Sequence, residues 1–137
     1  MSSWTTRDIP DLSGRTAVVT GANSGLGLQV SIELARHGAH VVLACRDRAR
    51  GTSALQQVVG SAELVLLDLA DLAAVRTAAA EIGRAHDRLD LLVCNAGVMA
   101  TPYRTTADGF ELQFGTNHLG HFALAGLLMP RLLAAPA

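Results

Sequence analysis

Four short apolar runs, rich in β-branched residues, punctuate the chain: Thr16 to Thr20, His40 to Cys45, Glu63 to Leu67 and Leu89 to Cys94. None alternates apolar with polar positions, which is the pattern of strands buried on both faces of a parallel sheet. Between them lie Gly25 to His37, Asp47 to Val59 and Asp71 to His86, each rich in Ala, Leu, Arg, Glu or Gln and long enough for a helix. The order predicted is β-α-β-α-β-α-β. Gly38 suits a helix C-terminal turn ahead of the second strand, and Asp71 suits the N-cap of the third helix, with its carboxylate at the positive end of the helix dipole. A polar loop follows from Ala96 to Thr106. The last segment, from Asp108 to about Ala134, reads as one long helix, the longest element of the chain. Strands that alternate with helices imply right-handed crossovers and a parallel sheet covered on both faces.

Composition agrees with one compact domain. Half of the 137 residues are hydrophobic and 17% are charged, a balance that excludes the low-hydropathy, high-charge signature of disorder. No repeat, linker or charge block divides the chain, so residues 14–137 read as the domain and residues 1–13 as an N-terminal arm. Net charge is -1, and the eleven basic residues, all Arg, are scattered from Arg7 to Arg131, which argues against a nucleic-acid partner. The apolar runs are too short to span a bilayer and residues 1–14 lack the apolar centre of a signal peptide, so a cytoplasmic location without a membrane span is expected. The two cysteines, Cys45 and Cys94, end strands that flank a shared neighbour. Two strand spacings, about 9–10 Å, exceed disulfide reach, and two buried free thiols are expected.

The chemistry begins at the end of the first strand. Gly21-Ala22-Asn23-Ser24-Gly25-Leu26-Gly27 places three glycines where strand hands over to helix. Glycine admits positive φ and close backbone approach, and the free N–H groups of the first helical turn point at an anion above them. Glycines also mark ordinary tight turns, but here they follow a strand, open a helix and start a βαβ unit, the context of a dinucleotide pyrophosphate site. That context makes the fold a Rossmann-type doubly wound α/β sheet, with four strands in the order 3-2-1-4 and helices on both faces. Where many NAD-binding domains place an acidic residue on the adenosine ribose, at the end of the second strand, this chain has Cys45 and then Arg46. A guanidinium there offers a charged fork to a 2′-phosphate, favouring NADP(H) over NAD(H). Asp47, next in sequence, is the residue an NAD(H) reading would use.

Thr-Gly-Ala-Asn-Ser-Gly-Leu-Gly at 20–27, Leu-Asp-Leu at 67–69, Asn-Ala-Gly at 95–97 and Thr-Asn-His-Leu-Gly-His-Phe at 116–122 together resemble the short-chain dehydrogenase/reductase family. Ala-Cys-Arg-Asp at 44–47 and Asp-Gly-Phe-Glu at 108–111 are most similar to its retinol-dehydrogenase-like group. The resemblance implies that Gly21, Asn23, Ser24, Gly25, Leu26 and Gly27 hold the pyrophosphate and its ribose, and that Arg46 meets the 2′-phosphate. It further implies that Asp68 and Leu69 contact the adenine, and that Asn95, Ala96 and Gly97 line the nucleotide. Asn117 matches the family's catalytic asparagine, which orders a water in the proton relay. His118 and His121, three apart on one helix, are spaced as two metal ligands, but no third is apparent, and both read as packing or surface residues.

The family's chemistry passes hydride between a nicotinamide and a carbonyl or alcohol carbon of a small molecule, with a tyrosine exchanging the proton, a lysine lowering the pKa of that tyrosine and a serine holding the substrate oxygen. The chain contains no lysine, and the fourth residue beyond its one tyrosine, Tyr103, is Ala107. The resemblance therefore implies the N-terminal, cofactor-binding part of an NADP-dependent oxidoreductase, inactive by itself and a homo-oligomer when complete. Its last strand would be an open sheet edge, with an uncovered face on the long helix. The alternative reading is a stand-alone, non-catalytic NADP(H)-binding or interaction module.

Overall fold

The computed structural model describes residues 3–136. Its main elements are β1 (Thr16–Thr20), α1 (Gly25–Arg36), β2 (His40–Cys45), α2 (Arg48–Leu55), β3 (Ala62–Leu66), α3 (Leu72–Ala85), β4 (Leu91–Val93), a short α4 (Leu112–Phe114), a π-helical turn Gly115–Gly120 and α5 (His121–Leu133). The strands form one sheet in the order β3-β2-β1-β4 with every pairing parallel, as the periodicity and the glycine turn together predict. Val18 lies between Val42 and Leu92, and Leu43 opposite Leu64.

Because side chains alternate across a strand, the continuous apolar runs feed two cores. Val18, Val42 and Val65 pack beneath α3 and α5 against Val75, Ile82, Leu124 and Leu128. Val19, Val41 and Leu43 face the other way, against Leu28 and Ala35 of α1 and Ala54 of α2. The nine residues named from β1, β2, α3 and α5 are each 1% exposed or less. The described residues before β1 carry one 3-10 turn, Thr6–Asp8, and join the body at Leu12, whose N–H donates to the His37 carbonyl (2.7 Å) at the end of α1.

Local signals set most of the boundaries. Gly38 takes φ +96 after α1, and Asp71 accepts from the N–H groups of Ala73 (2.8 Å) and Ala74 (3.3 Å) to open α3. Three expectations need correction. The fourth run pairs only over Leu91–Val93, because the Leu89 N–H is taken by the Arg131 carbonyl (3.0 Å) rather than by a strand. Asp108 does not begin the last helix: its carboxylate accepts from Leu72 N (2.9 Å), capping α3 from outside. The helical stretch starts instead at Leu112, with the Glu111 carboxylate accepting from the N–H groups of Gln113 and Phe114. Finally, Cys94, just past the end of the edge strand, is exposed while Cys45 is buried, and burial pushes the Cys45 thiol up to about 11.

β4 is bonded only to β1, so one of its edges is open among the described residues. Phe122, Leu127, Met129 and Leu133 are exposed along α5. No helix among the described residues is long and apolar enough to cross a membrane.

Candidate functional site

A cleft of about 320 Å³ opens at the carboxyl ends of the strands, where the crossovers from β1 diverge to either side. Its floor is the turn after β1. Gly21 extends the ladder by donating to the Ala44 carbonyl (2.9 Å), then turns with φ +65, and a Cβ there would stand 2.9 Å from Ala96 Cα. Gly27 is closed in equally tightly, since a Cβ would strike the Asn95 side chain and the Gly21 carbonyl. Gly25 differs. It takes φ +55 with nothing within 4 Å of where a Cβ would be, so the space over the first turn of α1 is open. Ser24 caps α1 by backbone geometry and makes no side-chain cap bond, which leaves the first N–H groups of the helix for a ligand.

Thr20 fastens this floor to β4. Its hydroxyl oxygen, fully buried, accepts from the N–H groups of Asn95 and Ala96 (3.0 Å each) and lies 2.8 Å from His121 Nε2. The Asn95 side-chain amide donates to the carbonyls of Thr20 (3.0 Å) and Gly21 (3.4 Å). The ends of β1 and β4 and the start of α5 are thereby one hydrogen-bonded unit.

The structure brings Gly21, Asn23, Ser24, Arg46, Asp68, Leu69, Asn95, Ala96 and Gly97 to the wall of this one cleft. Gly25, Leu26 and Gly27 form the adjoining first turn of α1, with the Leu26 side chain 79% exposed. Arg46 is exposed and makes no ion pair with any described carboxylate. Asp47 beside it caps α2, its carboxylate accepting from Arg50 N (2.8 Å). Asp68 uses one oxygen on Ala70 N (2.9 Å), which turns the chain from β3 toward α3. Leu69 is buried against Gly120, where any Cβ would collide with the Leu69 carbonyl.

Asn117 stands one step from the cleft wall, in the π turn. Its side chain clasps Val98, accepting from the Val98 N–H and donating to the Val98 carbonyl, both at 2.8 Å. Its own carbonyl receives His121 Nδ1 at 2.9 Å. His118 is exposed beside Phe114 and Phe122, and His121 is buried, so the two histidines do not converge on a metal position. The residues the sequence did not single out are Thr20, Gly115 and Gly120. Two glycines five apart in a helical segment were the available signal: Gly115 closes on Thr106 and Gly120 on Leu69, where π turns recur at functional sites.

A doubly wound sheet with a glycine turn under an open helix N-terminus, at the strand-order reversal, defines a dinucleotide-binding class of protein. The chain belongs to the short-chain dehydrogenase family, whose model matches residues 15–137. It is 46% identical over 129 residues to human retinol dehydrogenase 13, covering 90% of this chain and 39% of that protein. The fold superposes on a crystal structure of an uncharacterised protein from Mycobacterium paratuberculosis with TM-score 0.88 and 51% identity, covering 95% of this chain and 47% of that one. It also superposes on Pseudomonas aeruginosa RhlG in an NADP active-site complex (TM-score 0.80, 30% identity, 93% of this chain and 50% of that one). A Burkholderia phymatum member in complex with NAD gives TM-score 0.76 at 27% identity, over 91% of this chain and 46% of that one. The chain thus spans about 39% of the curated relative's length.

Proposed function

We propose that the cleft binds NADP(H) and that the protein is an oxidoreductase exchanging hydride with a small-molecule carbonyl or alcohol. The observation that carries the reading is the turn from Gly21 to Gly27: two of its glycines are required by backbone packing, while Gly25 keeps open the space that an N-terminal anion needs. A pyrophosphate fits there, received by the N–H groups of the first turn of α1. The bound nicotinamide would supply or accept the hydride. Asp68 and Leu69 stand at the adenine end, and Asn95, Ala96 and Gly97 on the wall beside the glycine turn.

Arg46 supports the 2′-phosphate over the free ribose hydroxyl. Its guanidinium pairs with no carboxylate among the described residues, and the Asp47 carboxylate is already engaged as a helix cap. Asn117 is the chain's contribution to proton transfer. Both ends of its side-chain amide are held by Val98, so the acceptor it offers a water is the remaining lone pair of its carbonyl, presented by the π turn.

The test is a pair of titrations of the intact protein with NADPH and NADH, followed by Arg46→Gln. NADPH should bind more tightly, and the substitution should remove about 1.5–3 kcal/mol from NADPH affinity alone, the worth of a hydrogen bond to a charged group. Equal binding of both nucleotides before and after substitution would sink the NADP(H) assignment. The second reading, a non-catalytic NADP(H)-binding module, is favoured by one observation: the chain has no lysine, and its one tyrosine, Tyr103, is 81% exposed. Carbonyl-dependent oxidation of NADPH distinguishes the two.

A further inference from the structure

At the end of the sheet opposite the nucleotide cleft, the structure gathers a second set of chemically capable side chains. His40 opens β2, Glu63 is the second residue of β3, and His86 caps the C-terminus of α3. One ligand atom from each lies within 4.8 Å of the others. Glu63 Oε1 is the hinge of the group, 2.6 Å from His86 Nε2 and 3.4 Å from His40 Nε2. The two imidazole rings stand 5.2 Å apart.

His40 is the informative member. Its Nδ1 is 2.6 Å from Ser61 Oγ, while its Nε2 is buried and makes no aligned hydrogen bond. With Ser61 accepting the Nδ1 proton, Nε2 turns a lone pair toward a carboxylate oxygen. Two acceptors so placed call for a cation between them. An outer partner on one ring nitrogen and a bare lone pair on the other is also the arrangement of metal-bound histidine.

We propose that His40, Glu63 and His86 form a zinc-binding site, with Ser61 orienting His40. Two imidazole nitrogens and a carboxylate suit zinc rather than magnesium or calcium, which take oxygen ligands. Zinc–ligand bonds of about 2.0–2.1 Å set tetrahedral ligands roughly 3.3 Å apart, close to the His40–Glu63 separation already present. Side-chain rotations on the order of 1 Å bring His86 and the third edge to that value. Glu63 is 39% exposed, which leaves water access to the fourth position. A metal here would clamp the starts of β2 and β3 to the end of α3, independently of the nucleotide.

The experiment is calorimetric titration of the untagged, chelator-treated intact protein with zinc chloride, magnesium chloride as control, and thermal unfolding with and without zinc. One zinc per chain should bind saturably and raise the melting temperature, and magnesium should do neither. His86→Asn and Glu63→Gln should abolish the binding. Ser61→Ala, at an exposed position that leaves the fold intact, should weaken it about 10–100-fold, the usual cost of losing an outer partner. Affinity for NADPH should be the same in all variants, so failure here is separable from failure of the nucleotide assignment. No saturable zinc binding, or zinc affinity unchanged in Ser61→Ala and in whichever ligand variants fold, would overturn the site.

Discussion

Thr20 Oγ1 and His121 Nε2, separated by 101 residues, lie 2.8 Å apart in a buried contact between the end of β1 and the first residue of α5. Proton placement follows from the neighbours. His121 Nδ1 meets the Asn117 carbonyl, which only accepts, so Nδ1 carries the hydrogen and Nε2 is the acceptor. The Thr20 hydroxyl therefore donates to His121 while accepting from Asn95 N and Ala96 N. One hydroxyl thus fixes the cleft floor, the end of β4 and the π turn bearing Asn117.

Thr20→Val should cost about 2 kcal/mol, because it keeps the shape, strands the Ala96 N–H and an imidazole acceptor, and leaves the Asn95 N–H only the Val93 carbonyl. Thr20→Ser restores the hydroxyl and loses one methyl, about 1 kcal/mol. Urea unfolding of the three proteins checks the order. A Val variant as stable as the Ser variant would show that the hydroxyl does not hold the floor together.

The glycines of the turn should fail in different ways. In Gly27→Ala the new methyl meets the Asn95 side chain and the Gly21 carbonyl, so folding itself suffers, by more than about 2 kcal/mol. Gly25→Ala meets nothing and bears only the strain of φ +55, about 1 kcal/mol, yet its methyl enters the space reserved for the anion. Its stability should be near normal and its NADPH affinity strongly reduced. Thermal melts beside nucleotide titrations separate the cases, and tight NADPH binding by Gly25→Ala would count against a pyrophosphate over α1.

The sheet order and the cleft were legible because both rest on local chemistry: runs of β-branched residues, glycines at a strand end, Asp71 at a helix start. What escaped the sequence depends on contacts between distant segments. Asp108 resembles a helix start, yet it serves α3, 36 residues earlier in the chain. Thr20 is one more β-branched strand residue until the fold sets Asn95, Ala96 and His121 around it. The start of β4 was placed two residues too early because an apolar run does not reveal that the Leu89 N–H is taken by the Arg131 carbonyl. Cys94 looked as buried as Cys45, since apolarity alone does not distinguish a central strand from an edge.

Asp47 separates a structural role from a recognition role. Its carboxylate caps α2 through Arg50 N, so Asp47→Ala should cost about 1 kcal/mol of stability, as for other N-caps, and leave the ratio of NADPH to NADH affinity unchanged. If the ratio instead rises toward NADPH, Asp47 is a ribose ligand competing with Arg46.

Asp90 should give the fold a distinct acid sensitivity. Its side chain, 2% exposed, accepts from Thr16 N (2.9 Å) and Arg15 (3.1 Å) and lies 3.4 Å from Arg88 Nε, joining the start of β1 to the approach to β4. Burial acts to raise its carboxyl, but the Thr16 N–H and the two guanidinium groups prevail and hold it below the ordinary value. A folded-state pKa lower than the unfolded one means that the unfolded chain takes up the proton more readily. The contribution of Asp90 is then complete above the ordinary carboxylate value of about 3.9 and is lost as pH falls through the lower folded value. Asp90→Asn should therefore be less stable than the parent at neutral pH, by about 2 kcal/mol for a buried charge-assisted acceptor, and the gap should narrow steadily below about pH 4. Denaturant unfolding of both proteins from pH 7 downward measures this, and a gap constant with pH would show that the carboxylate's charge contributes nothing.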